Sequence, residues 1–500
     1  MHDVILIPVD LSSTNEHVLD TAQQLGRPDQ TQIQLLHVIE TLQDEEDGEM
    51  DDFYEELRAD AEGKMETWAS AVADSGFEVQ STIVYDPETD SLYGLNASGR
   101  SPQGLSYDEM QQELGDRDEI PLLGHLPVSV PGTASGWGKL HERFGRLPLE
   151  DDLGPAIEYA REGFPLSQVI AYYWQGNVNS FRENSDLIPG ENWKDTYLIE
   201  GENGEMRAPE EGEVFRNPDL ANTLETIAQN GTDAFYEGEI ARTIADYAER
   251  TGGHLRMEDL RQHEANWVDP VSVTYRGVEV FELPPNGQGI AALQMLQILK
   301  GFDVAEMGLN STDYLHVQAE AKKLAFEDRA QFYADPAFAD VPVQELISEE
   351  YGAQRRQQIE MDEVLSVPSH GNPEAMARLD EGDTIYLTVA DSTGMMVSLI
   401  QSNYAGMGSG LVPDDLGFML QDRGALFTME ESHPNVYEPG KRPFHTIIPA
   451  FAMKDGEPFL SFGVMGGGMQ PPMTPKLRNG SPSFMAKAGM MVWKGRLPGS

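Results

Sequence analysis

The chain opens with an unbroken apolar run, Val4-Ile5-Leu6-Ile7-Pro8-Val9, closed by Asp10. A short run without alternation predicts a strand buried on both faces, as parallel sheets require. Two more strands are expected, at Gln32-Ile33-Gln34-Leu35-Leu36-His37-Val38-Ile39 and from Phe77 to Val84. Between them, helical spacing runs from Asn15 to Leu25 and again from about Phe53 to Asp74, with an acidic loop from Asp44 to Asp52. The order β-α-β-α-β implies a small, doubly wound α/β module over residues 1–84.

From Tyr85 the pattern changes. Tyr85-Asp86-Pro87 and Leu95-Asn96-Ala97-Ser98-Gly99-Arg100-Ser101-Pro102 are turn-rich. A helix is expected near Leu153 to Glu162, and helices with connecting loops continue to about Arg261. Gly277 to Leu283 reads as a strand, Pro284-Pro285-Asn286-Gly287-Gln288-Gly289 as a tight turn, and Ile290 to Leu299 as the helix it leads into. A long helix is expected from Tyr314 to Tyr333. After a linker at Asp380 to Asp383, the stretch Thr384-Ile385-Tyr386-Leu387-Thr388-Val389 alternates, which would bury one face of a strand. The next strand carries Gln401-Ser402-Asn403-Tyr404, and Gly406-Met407-Gly408-Ser409-Gly410 reads as a turn. From Pro471 to Ser500 the chain is rich in Pro, Gly and Met without a clear period, and an irregular tail is expected.

Composition narrows the function. Five hundred residues, 40% of them hydrophobic, exceed one ordinary domain. Acids outnumber bases 85 to 34, for a formal charge of −51. Such a surface repels nucleic acid and anionic membrane, so neither is expected as a partner. Cysteine is absent, which removes disulfides, thiol nucleophiles and thiolate metal sites. No apolar run approaches the roughly 20 residues of a membrane helix, and the first is too short for a signal segment; a cytoplasmic location is expected. His141-Glu142 does not begin a zinc-protease motif, because Gly145 stands where a second histidine is needed. No motif calls for a metal or organic cofactor.

Thr384 is the candidate for chemistry. Cutting the Asp383–Thr384 bond would give Thr384 a free α-amine beside its own hydroxyl, so one residue would supply nucleophile and base.

With Pro131-Gly132-Thr133, Asn286-Gly287-Gln288-Gly289, the Thr384 strand and Gly466-Gly467-Gly468 in that order, residues 85 to 470 resemble the γ-glutamyltransferase family of N-terminal-nucleophile hydrolases. The resemblance implies a four-layer αββα sandwich and a proenzyme that cleaves itself into a large subunit, 1–383, and a small one, 384–500. It further implies that Thr384 attacks a γ-glutamyl amide such as glutathione, that Ser402 orients the amine, and that Gly466 and Gly467 supply oxyanion-hole N–H groups. Residues 1–84 resemble a truncated universal stress protein domain. The Gly-rich phosphate loop of that family's ATP-binding members falls beyond the point of departure, so no nucleotide is expected.

The chain departs from the family at the substrate. Gln421-Asp422-Arg423-Gly424-Ala425-Leu426 stands where an aspartate pair anchors the glutamyl ammonium, with Leu426 at the anchor. His445-Thr446 replace paired serines, Tyr404 replaces an asparagine, and Arg100 matches the carboxylate-binding arginine only with shifted spacing. Tyr404, Arg423, His445, Thr446 and Arg100 are the candidate substrate-binding residues, and Arg423 suits a carboxylated acyl group. Two alternatives use the same residues: a glutaryl-type acylase of this fold, or an inactive fusion of a truncated stress-protein module with a degenerate sandwich. The charge itself yields a prediction, since self-repulsion at −51 destabilises the compact state until salt screens it, as in halophiles. The melting temperature is expected to be higher in molar KCl than in dilute buffer, and equal melting in both would remove the halophilic reading.

Overall fold

The computed structural model describes residues 92–201, 203–365, 395–463, Gly466 and Pro471, the strand Gly382–Ala390 without the Asp383 side chain, and the backbone strands Val4–Pro8, Gln32–Leu36, Glu78–Thr82 and Met491–Lys494. The chain divides into two compact units. In the first, the three N-terminal strands pair in parallel in chain order, with Ile7 beside Leu35 and Leu35 beside Ser81. These are the strands expected from the apolar runs. The two helices expected between them, over 15–25 and 53–74, lie outside the described residues.

The second unit is built around an antiparallel sheet of five strands in the order Val271–Tyr275, Val278–Glu282, Ala450–Lys454, Glu457–Gly463 and Met491–Lys494. The helix Gly289–Leu299 is buried at every position, because its sequence is apolar all round rather than on one stripe. It packs, with the helix Thr312–Phe332, on a core that includes Val273, Val280, Ala452, Leu460 and Phe462. Ser311 caps the second helix by accepting from Tyr314 N at 3.1 Å.

A two-stranded ribbon, Gly382–Ala390 against Met396–Ala405, touches the same sheet. Its buried face is the hydroxyl face: Ile385 and Val389 are 58% and 54% exposed, whereas Thr384 and Tyr386 are buried. The polar groups on that face are satisfied in pairs. Thr388 Oγ1 donates to Ser461 Oγ at 2.9 Å, and the Tyr386 and Ser398 hydroxyls lie 2.9 Å apart. Helix on sheet on ribbon gives the α, β and β layers of the expected αββα class.

A separate helical core gathers Trp174, Phe215, Ile244 and Tyr247 around Leu411, Val412 and Leu420. One of its helices spans Leu149–Glu162, a turn earlier than the periodicity indicates. Glu150, Asp151 and Asp152 in the first turn complement the helix dipole, and the helix continues through Pro155. The tail expected to be irregular contributes the edge strand Met491–Lys494, whose Leu460↔Lys494 register joins it to the sheet. Among the described residues no helix is long and apolar enough to cross a membrane.

This packing predicts an asymmetric response to leucine truncation. Leu293 is fully buried and Leu147 is 58% exposed. Leu293→Ala should cost about 2–5 kcal/mol, whereas Leu147→Ala should stay within about 0.5 kcal/mol. Denaturant midpoints of the two variants, compared with the parent, check this.

Candidate active site

The ribbon brings Thr384 and Ser402 together. Their Cα atoms are register partners, and Thr384 Oγ1 donates to Ser402 Oγ at 3.2 Å. Ser402 Oγ also accepts from Tyr404 N at 2.9 Å. Two donors thus converge on one hydroxyl, which fixes its orientation beside a buried threonine.

The loop after the ribbon returns Arg423 to the same place. Its Nη2 donates to the Ser402 carbonyl at 3.1 Å, its backbone N–H to Gln421 Oε1 at 2.6 Å, and its guanidinium carbon lies 5.5 Å from the centroid of the Tyr404 ring. Arg423 is 5% exposed, and Nη1 is buried without a hydrogen-bond partner. Burial lowers its pKa to about 10, so the guanidinium remains charged at neutral pH. The adjacent Asp422 does not form an ion pair with it. Asp422 Oδ1 accepts from Ala405 N at 3.1 Å, Oδ2 has no partner, and burial pushes the carboxyl well above its usual range.

A second arginine, missed in the sequence reading, lies on the helix Thr312–Phe332. Arg329 Nη1 donates to the buried Gln288 Oε1 at 2.7 Å, and its guanidinium stacks 3.9 Å from the centroid of Phe326 and 5.3 Å from that of Phe444. The available signal was its spacing: no acid stands three or four positions away, where helical arginines find partners. Gln288 in turn donates through Nε2 to the Thr446 carbonyl at 2.7 Å. His445 donates its backbone N–H to the Asn286 carbonyl at 3.1 Å, and its Nδ1 is buried without a partner. Burial, with repulsion from Arg423 and Arg442 added, lowers the His445 pKa to about 3. Gly287 is required beside it, since a Cβ there would lie 2.5 Å from His445 Cε1.

Arg100 is engaged elsewhere. It pairs with Asp335 Oδ2 at 3.1 Å and donates to the Gly440 carbonyl at 3.0 Å. Gly466 has φ 119°, a backbone open to glycine and costly for other residues. Gly467 lies outside the described residues, as does the side chain of Asp383.

A family model for gamma-glutamyltranspeptidase matches residues 80–478. The chain belongs to the gamma-glutamyltranspeptidase family. The model of the universal stress protein family matches residues 1–91, in agreement with the parallel strands of the first unit. Among curated relatives, the glutathione hydrolase-like YwrD proenzyme of Bacillus subtilis is 35% identical over 78% of this chain and 70% of its own length. The acylase ACY 1 proenzyme of Pseudomonas sp. is 33% identical over 72% of this chain and 62% of its own. The chain thus spans about two thirds of the length of these relatives. A crystal structure of cephalosporin acylase from Bacillus halodurans superposes with TM-score 0.69 and 41% identity, over 76% of this chain and 68% of that one. The fold of this family member is therefore the αββα class expected from its motifs.

The buried histidine gives a prediction with a definite sign. Its pKa is depressed on folding from about 6.5 to about 3, so the stability it contributes is present above 6.5 and lost as pH falls towards 3. His445→Gln should remove that loss, by roughly 1.4 kcal/mol per pH unit within the window. Urea midpoints of parent and variant at pH 7 and pH 5 should diverge less at the lower pH; identical acid slopes would refute the assignment.

Proposed function

We propose that this chain is a self-processing amidohydrolase or acyltransferase whose nucleophile is Thr384. Cleavage of the Asp383–Thr384 bond would yield chains of 1–383 and 384–500. The new α-amine takes the Oγ1 proton, and Oγ1 attacks the carbonyl carbon of an amide substrate. The N–H groups of Gly466 and Gly467 stabilise the oxyanion, each such donor being worth about 3 kcal/mol of barrier. The amine leaves with a proton, and water or a second amine takes the acyl group from the threonine ester. The observation that carries this reading is the buried Thr384 hydroxyl, 3.2 Å from Ser402 Oγ in register on the paired strand.

Arg423 bears on the substrate. A buried guanidinium with an unpartnered Nη1, one hydrogen bond from the Ser402 carbonyl, favours an acyl group ending in a carboxylate. Leu426 offers nothing to an ammonium, so a glutaryl-type amide is favoured over a γ-glutamyl one. The relatives include both acylase and glutathione hydrolase proenzymes, so the choice rests on Arg423 and Leu426. Tyr404, His445 and Thr446 would line the acyl pocket, whereas Arg100 is already engaged by Asp335.

The test is an intact-mass measurement on protein purified in molar KCl. Two fragments are expected, the smaller beginning at Thr384, and Thr384→Ala should remain whole. An uncut parent chain would sink the reading. Processed enzyme should hydrolyse a glutaryl anilide faster than a γ-glutamyl anilide, with Arg423→Leu losing about 100-fold in kcat/KM. The reverse preference would overturn the substrate assignment alone.

A further inference from the structure

The ribbon carries an irregularity directly opposite the bond that would be cut. Gly382 pairs with Ala405 and Asp383 with Tyr404, but Thr384 pairs with Ser402. One residue of the partner strand, Asn403, is therefore extra, and the register shift falls between Asp383 and Thr384. Beside the bulge, Tyr404 has φ 94°. Bulges of this kind normally place glycine in the left-handed position, and Gly406, Gly408 and Gly410 do so a few residues on. Tyrosine at that angle is strained.

Strain of this kind persists only where the surroundings over-determine it. Tyr404 N–H is held by Ser402 Oγ at 2.9 Å and the next N–H, of Ala405, by Asp422 Oδ1 at 3.1 Å. Asp422 N donates to the Asn403 carbonyl at 3.1 Å, and the ring is buried beside Arg423. A further restraint is the pairing with Asp383, whose covalent link to the paired Thr384 is the bond in question.

We propose that the left-handed Tyr404, at the bulge facing the Asp383–Thr384 bond, is a strained element that positions this bond for self-cleavage and relaxes when it is cut. The proposal rests on the reading that Thr384 processes its own chain. In that step Thr384 Oγ1 attacks the Asp383 carbonyl carbon, the carbon–nitrogen bond to Thr384 breaks, and the hydroxyl proton passes to the departing nitrogen. Water then hydrolyses the ester, leaving an Asp383 carboxyl group and a free Thr384 hydroxyl. The register shifts at this peptide, which is paired on both sides, and its cleavage loosens the restraint on Tyr404. Tyr404 is a positioning residue here, acting through the backbone rather than on the reacting atoms.

The test separates backbone strain from loss of the ring. Tyr404→Ala removes the ring but keeps a costly left-handed residue, whereas Tyr404→Gly removes both ring and strain. Self-cleavage is followed by denaturing gel and mass after purification in molar KCl. Tyr404→Gly should cleave at least about tenfold more slowly than Tyr404→Ala, the two differing in backbone strain while both lack the ring. In the uncut Thr384→Ala background, Tyr404→Gly should melt above Tyr404→Ala, an order opposite to that at an ordinary strand position. Parental cleavage by Tyr404→Gly overturns the proposal, as does equal slowing of both variants, which assigns the effect to the ring. The reversed melting order also overturns it. A parent chain that never cleaves, with glycine still the more stable residue, overturns the processing reading and leaves the strain at Tyr404 established.

Discussion

The antiparallel pairing of Gly382–Ala390 with Met396–Ala405 is the constraint on which the site depends. Side chains alternate along a strand, so a slip of one residue would turn Thr384 outward and Ile385 inward. The register is not chosen by burying the more apolar face, since Ile385 and Val389 stay exposed. It is chosen by hydroxyl partners: Thr384 with Ser402, Tyr386 with Ser398, and Thr388 with Ser461. Each of those groups would be costly if buried alone, so the three pairs enforce the register together.

Charge is arranged in the opposite sense inside and outside. The sequence carries −51, yet Arg423, bonded to the Ser402 carbonyl, and Arg329, bonded to the buried Gln288, make no ion pair among the described residues. They are held by carbonyl and amide oxygens and by aromatic faces, which lower the cost of burial without cancelling the charge. His445 adds no charge at neutral pH, because burial and the two nearby arginines Arg423 and Arg442 keep it neutral. The result is a local positive field with an open donor on Arg423 Nη1.

Much of this was legible in the sequence where it depends on local order. The runs at Val4–Pro8 and Gln32–Leu36 are strands as their short apolar patterns indicate, and the Thr384–Ser402 pairing stands where the family resemblance implied it. The edge strand Met491–Lys494 was not legible, since four residues are too few to show a period. Neither were the bulge at Asn403, which has no residue signature, nor the contact of Arg329 with Gln288, which spans 41 positions. Arg423 was visible as an unusual residue, but its isolation from Asp422 depends on Ala405 N–H claiming that carboxyl.

That last dependence reaches beyond the site. Leu411, Val412, Leu416, Met419 and Leu420 belong to the helical core with Trp174 and Phe215, whereas Leu426 packs on the core of the five-stranded sheet. Asp422 and Arg423 therefore sit where the chain crosses from one core to the other. Close-packed cores resist displacement, so both ends of this short crossing are fixed. Backbone bonds complete the fixation: Asp422 N to the Asn403 carbonyl at 3.1 Å, and Gly424 N to the Pro127 carbonyl at 2.7 Å. A buried cation with one guanidinium hydrogen bond and one ring contact gains from such anchoring, because these two contacts alone replace little of its hydration. The position of Arg423 beside Ser402 is thus a property of two cores meeting, and Thr384 owes its charged neighbour to the packing on either side of it.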